Sequence, residues 1–258
     1  MLTNDDGKLP AHHNVCDSVL RNLATALRTA RPLHQPFTHL VVDQFFPVPL
    51  FDAICGYLPP TECYLRVERS HGKPMSAPWG ERTILPLNAA GIERLPVRIR
   101  PLWQGVVDGL CCEAGWSQLA RACGLELAQL QAPPDRSRNP VAQAILSRDF
   151  PPYAIGPHTD VPDRIVSAII YLRPTGRSEA LGTSLFRPRP PMSRCTEGRH
   201  YSFDAGGFDV AGVVPFLSNR ALLFARSDTS FHGVLPFDGD QPPRDVLLFE
   251  LPWRRAPE

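Results

Sequence analysis

The feature that most limits the fold of this 258-residue chain is a change of texture at Gly124. Before it, apolar residues recur at helical spacing. Val19, Leu20, Leu23 and Leu27 form one stripe of a helix that Asp17 would cap and that runs to about Thr29. Pro47 to Leu58 reads as a short helix closed by Pro59-Pro60, Pro96 to Ala114 as a longer one, and Trp116 to Cys123 as a third, stopped at Gly124. Leu40 to Phe46 reads as a strand, and residues 61–95 as irregular, with a hydrophobic turn near Ile84. After Gly124 come short β-type runs separated by Pro, Gly and Asp: Ala142–Leu146, Ile165–Leu172, Ser184–Arg187, Tyr201–Phe203, Ala221–Ala225, Phe231–Leu235 and Val246–Leu251. Helices first and strands second predict an α+β chain with a mainly β core, not alternating βαβ units. Many short antiparallel strands of this kind build a jelly roll or barrel. The expected organisation is a single catalytic domain over residues 1–258, with a helical portion over 1–130 and a jelly-roll core over 131–258.

Composition excludes several classes. Hydrophobic residues make up 43% and charged residues 21%, as in a globular chain. A formal net charge of +1 gives no case for nucleic acid or an anionic membrane as partner, and no apolar run is long enough to span a bilayer. The seven Cys are scattered, odd in number and without Cys-x-x-Cys, which argues against a disulfide framework and a structural zinc site. The acidic start Met1–Asp6 lacks a signal-peptide core. A cytoplasmic enzyme acting on a small molecule is the expectation, and nothing in the sequence sets an oligomeric state.

The chemistry-bearing residues lie in the β half. His158 and Asp160 sit between the turns Gly156-Pro157 and Pro162-Asp163, two residues apart. On a strand, residues i and i+2 share a face. One imidazole and one carboxylate are thus presented together, and His232 on a late strand supplies a second imidazole. Two His and one carboxylate with the opposite face open are the donor set of non-haem Fe(II) oxygenases. Arg244 follows at the start of the last apolar strand, with the guanidinium suited to a bidentate hold on a carboxylate. His12-His13 read as solvated, and His34, His39 and His200 as structural or exposed. Cys111-Cys112 reads as core. Arg82 and Trp79, after the polar loop that holds His71, are substrate-contact candidates.

Taken together, Tyr153-Ala-Ile-Gly-Pro-His158-Thr-Asp160, Ile169-Ile-Tyr-Leu172, Gly182-Thr-Ser-Leu185, Asn219-Arg-Ala-Leu-Leu-Phe224, Ser230-Phe-His232-Gly-Val234 and Arg244 resemble the Fe(II)/2-oxoglutarate-dependent dioxygenase superfamily, in its prolyl-hydroxylase-like bacterial branch. The resemblance covers roughly residues 140–252. It implies a double-stranded β-helix, His158, Asp160 and His232 as iron ligands, and Arg244 as the group that binds the distal carboxylate of 2-oxoglutarate. Many relatives have Arg-x-Ser there; here Val246 replaces the Ser, so Tyr153 or Tyr171 is left to supply the hydroxyl. The implied reaction is hydroxylation of an unactivated C–H bond of a small or medium polar metabolite (an amino acid, peptide or sugar derivative) in specialised metabolism. Dioxygen is the second co-substrate, and 2-oxoglutarate is decarboxylated to succinate. Asp160 disfavours a halogenase, since related halogenases carry a small residue at that point. Desaturation, cyclisation or epimerisation by the same oxidant is the alternative, and a cupin-like metal-binding protein or non-oxidative metalloenzyme is the reading from another class.

Overall fold

The computed structural model describes residues 11–67, 69–70, 73–74, 81–131, 138–172, 178–203 and 206–255. The first half gives α1 (His12–Thr29), β1 (Leu40–Val42), α2 (Val48–Gly56), β2 (Leu65–Arg66), β3 (Arg69–Ser70), β4 (Lys73–Pro74), β5 (Glu81–Pro86), α3 (Ala89–Glu93), α4 (Arg100–Cys111), α5 (Glu113–Ala122) and α6 (Leu127–Gln131). Among the described residues, the named elements of the second half are all strands: β6 (Arg138–Pro140), β7 (Gln143–Phe150), β8 (Tyr153–His158), β9 (Arg164–Tyr171), β10 (Ser178–Pro188), β11 (Phe208–Phe216), β12 (Ala221–Ala225), β13 (His232–Phe237) and β14 (Arg244–Arg255). No helix among the described residues is long and apolar enough to cross a membrane.

Two antiparallel sheets face each other. The larger has the order β1-β12-β9-β14-β7-β5-β2, with β6 pairing off β14; the smaller is β11-β10-β13-β8. Strand alternation gives the larger sheet two different faces. Leu247, Phe249 and Leu251 of β14, with Ala144, Leu146, Ala168 and Ile170, join the helices in one core. Val246 of β14, with Ile169, Tyr171, Leu222 and Phe224, meets Leu181, Leu185, Val214, Phe216 and Val234 of the smaller sheet in another. The architecture is a helical layer on one face of an antiparallel two-sheet sandwich.

The helical layer depends on close approach. Val15, Val19 and Leu23 are the buried stripe of α1. Val15 and Val19 lie against Gly105 and Gly109 of α4, where an added Cβ would come within 2.6 Å of Val15 and Val19 respectively. The two glycines, one turn apart, are what let the helices meet. The first half is also stitched into the sandwich. Asn219, in the left-handed region at φ 62°, accepts from the Phe46 N–H and donates to the Phe46 carbonyl, both at 2.8 Å.

Several expectations change. Asp17, expected to cap the first helix, lies inside α1, which begins at His12 after its N-cap Ala11. The predicted turn near Ile84 is the strand β5, paired with β7 in the larger sheet. The run Ala142–Leu146 continues to Phe150 although Ser147-Arg148-Asp149 is polar. Asp149 accepts from Arg82 and Arg244 and Arg148 donates to Asp245, so the burial of these charges is matched. Tyr201–Phe203 is not a strand. It belongs to the long connection between β10 and β11, where the Tyr201 N–H donates to the Pro157 carbonyl and its ring packs on Phe208 and Phe231.

Candidate metal centre and anion pocket

His158 ends β8 and His232 begins β13, and antiparallel register sets the two directly opposite each other. Gly233 makes the crossing possible, since a Cβ there would lie 2.3 Å from the Ile155 carbonyl oxygen. Asp160 lies beyond the end of β8, outside the ladder that carries His158. One ligand atom from each of His158, Asp160 and His232 lies within 4.8 Å of the other two, and all three residues are buried.

The tautomers suit metal binding. Nδ1 of His158 donates to the Gly156 carbonyl and Nδ1 of His232 to the Ser230 carbonyl, each at 3.0 Å. A carbonyl can only accept, so the proton sits on Nδ1 and Nε2 keeps its lone pair. Burial, reinforced by the positive charge that His232 and His200 would carry, keeps the His158 pKa well below the ordinary imidazole value. For Asp160, burial alone would raise the carboxyl; Arg164, His232 and the Ser167 hydrogen bond outweigh it and hold it below the usual carboxylate value. Two imidazoles and one carboxylate thus meet on one side of a cavity of about 210 Å³.

The far side of that cavity is built on a cross-strand row. Arg82 of β5, Asp149 of β7 and Arg244 of β14 are direct neighbours in register. Asp149 is completely buried. It accepts from Arg82 Nε at 2.7 Å and Nη2 at 3.2 Å, and from Arg244 Nη1 at 3.0 Å. Burial would raise the Asp149 carboxyl, but Arg82, with Arg244 and Ser147, holds it low. The row therefore keeps one surplus positive charge at the cavity wall. Arg244 is further fixed by donating Nε to the Leu181 carbonyl at 2.8 Å and Nη2 to Thr183 Oγ1 at 3.2 Å.

Thr183 carries a signal that motif reading missed. Its Oγ1 also receives the Tyr171 hydroxyl at 2.8 Å. With both acceptor positions used, the Thr183 proton is left to donate, and Thr183 lines the cavity. Of the two tyrosines expected to help Arg244, Tyr171 is spent on Thr183 and lies 3.2 Å from the Val214 carbonyl. Tyr153 is buried with its ring under the Arg82 guanidinium, 5.0 Å from Cζ to centroid, and its hydroxyl has no hydrogen-bond partner among the described residues. Arg82 lines the same cavity, while its companion candidate Trp79 lies outside the described residues, as does His71. His200, expected to be structural or exposed, also lines the cavity and stacks on the His158 ring at 4.1 Å between centroids. Only the pairing of His200 with His158 across an isolated bridge brings it there, and sequence spacing carries no sign of it.

No protein-family model matches the chain, and no curated protein matches its sequence. Solved structures are similar over most of their length. A prolyl-4-hydroxylase from Pseudomonas putida is 16% identical with a TM-score of 0.46, over 92% of this chain and 99% of that one. A Trichoplax adhaerens prolyl hydroxylase, solved with a peptide of the hypoxia inducible factor oxygen degradation domain, is 14% identical with a TM-score of 0.49, over 93% and 90%. HygX from Streptomyces hygroscopicus, solved with nickel and 2-oxoglutarate bound, is 13% identical with a TM-score of 0.43, over 83% and 82%. At these values the likeness is one of extent and not of residues, so the function rests on the cavity itself.

Proposed function

We propose that the chain is an Fe(II)/2-oxoglutarate-dependent dioxygenase whose paired sheets form a double-stranded β-helix. The observation that carries this reading is the convergence of His158, Asp160 and His232 on one point. Two imidazoles with free Nε2 atoms and one ionised carboxylate are a facial donor set for Fe(II), and a divalent cation there offsets the buried Asp160 carboxylate. Zinc hydrolases use similar donors, so the second half of the cavity decides between the classes. A guanidinium row with a surplus positive charge and a Thr183 hydroxyl lining the same space fits an anion. With a divalent metal at one end and Arg244 at the other, a dicarboxylate such as 2-oxoglutarate meets a positive group at each end. The Thr183 hydroxyl takes the place of the Ser absent from Arg-x-Ser, while Tyr153 supports Arg82 from beneath through its ring.

Bound in this site, iron with 2-oxoglutarate and dioxygen supplies an oxidant for unactivated C–H bonds, releasing succinate and carbon dioxide. The chain's own residues do the rest. His158, Asp160 and His232 hold the metal, Arg244 and Thr183 orient the co-substrate through its distal carboxylate, and the two sheets exclude water. Hydroxylation of a small or medium polar metabolite is the leading outcome; desaturation, cyclisation and epimerisation use the same residues and differ in where the substrate sits. The protein incubated aerobically with Fe(II) and 2-oxoglutarate should form succinate, and Asp160→Ala should abolish it. Absence of 2-oxoglutarate binding to the iron-loaded protein under anaerobic conditions would overturn the reading in favour of a non-oxidative metalloprotein.

A further inference from the structure

Asp160 is the proposed ligand that the β-ladder does not place. His158 and His232 face each other in register, each with a Nδ1–carbonyl bond that fixes its ring. Asp160 follows the end of β8, and side chains from elsewhere hold it. Its backbone carbonyl accepts from Arg226 Nε at 3.2 Å. Its carboxylate accepts from Arg164 Nη1 on Oδ1 and from Ser167 on Oδ2, both at 2.7 Å.

Arg164 is itself clamped. Its Nη2 pairs with Glu250 Oε1 at 2.6 Å, and Glu250 Oε2 accepts from Gln143 Nε2 at 2.6 Å. Gln143, Glu250 and Ser167 are direct cross-strand neighbours on β7, β14 and β9. A row of three adjacent strands thus ends in two bonds to one carboxylate. The Glu250 charge offsets Arg164, so a guanidinium can stand beside a cation site without making that end of the cavity positive.

We infer that Arg164 is a positioning residue for the metal site: braced by Glu250, it fixes the orientation in which Asp160 meets the two imidazoles. This rests on His158, Asp160 and His232 being the ligands. Arg164 touches neither metal nor substrate in this role and acts through Asp160. An Arg–carboxylate bond is charge-assisted and directional, and partners of ligating carboxylates set metal affinity by about 10–100-fold. The Ser167 bond alone leaves the carboxylate free to swing about one contact.

The test is anaerobic titration of the metal-free protein with Co(II), read by visible absorption, beside thermal melts. Wild type should bind one Co(II) and Asp160→Ala should not; failure of that pair would remove the metal site itself. Given that pair, Arg164→Met should bind Co(II) at least about tenfold more weakly, with a changed ligand-field spectrum. Arg164→Lys should recover part of the affinity, because an ammonium keeps the charge and loses the fork. Glu250→Gln, which keeps the shape of the brace and removes its charge, should show the same change in smaller measure; it stands in for Arg164→Met if that variant does not fold. Co(II) affinity and spectrum equal to wild type in a folded Arg164→Met, or in Glu250→Gln where Arg164→Met does not fold, would leave the metal site standing and overturn the role of Arg164.

Discussion

The two ends of the cavity use the same groups in opposite order. At one end Arg82, Asp149 and Arg244 form a guanidinium–carboxylate–guanidinium row; at the other Asp160, Arg164 and Glu250 form a carboxylate–guanidinium–carboxylate row. Each row is mostly neutralised, and each keeps one charge over. The first is left positive and suits an anion, the second is left negative and suits a cation. Complete pairing would have made both rows inert, and no pairing would have made their burial prohibitive. The rows also differ in depth. At the centre of the first row Asp149 is wholly buried, whereas Arg164 at the centre of the second is 22% exposed; the outer Arg82 of the first row is 18% exposed.

Depth sets the largest expected difference. Asp149→Asn leaves two guanidiniums facing each other without their carboxylate and should cost about 3–5 kcal/mol of stability. Glu250→Gln keeps the shape of its buried side chain and leaves Arg164 paired with Asp160, so it should cost less, about 1–3 kcal/mol. Urea unfolding of the two variants compares them directly, and equal losses would mean that depth does not separate the rows. Next comes the functional contrast. Arg244→Ala should weaken anaerobic 2-oxoglutarate binding by about 2–5 kcal/mol, and Thr183→Val by about 1.5–3 kcal/mol, one hydrogen bond to a charged group. Both should leave metal affinity unchanged when followed by Co(II) titration; a matching loss of metal would show the ends to be one site and not two.

Acid exposes the smallest difference. The Asp149 carboxyl is held below its ordinary value, so the unfolded chain takes up the proton first as the pH falls. The stability from ionised Asp149 is therefore complete above the unfolded carboxylate value near ~4 and is lost as the pH drops through the lower folded value. Urea midpoints between pH 6 and pH 2 should fall more steeply for wild type than for Asp149→Asn. Parallel curves would place the acid sensitivity in other carboxylates.

Much of the second half was legible because its apolar runs are local. The run Ala221–Ala225 is a strand with those ends, and the runs at Ile165, Phe231 and Val246 overlap β9, β13 and β14. Strand β5 escaped notice because its alternation is short and carries Glu81 and Arg82. The tail of β7 escaped because Arg148 and Asp149 look like a loop until their partners are known. For the site, His158, Asp160 and His232 stand out by type and spacing, and the structure brings them together. Thr183, Ser167, Arg164, Glu250 and His200 do not stand out, since each matters only through a neighbour distant in sequence.

The sequence by itself determined the order of helices and strands, the three candidate ligands and the guanidinium at Arg244, because periodicity and side-chain chemistry are properties of short segments. Only the tertiary structure decided which charges share a row, which hydroxyl stands beside Arg244 and what steadies Asp160. Those outcomes depend on strand register, and a shift of one residue would turn Arg82, Asp149, Arg244 and Glu250 to the opposite face of the sheet.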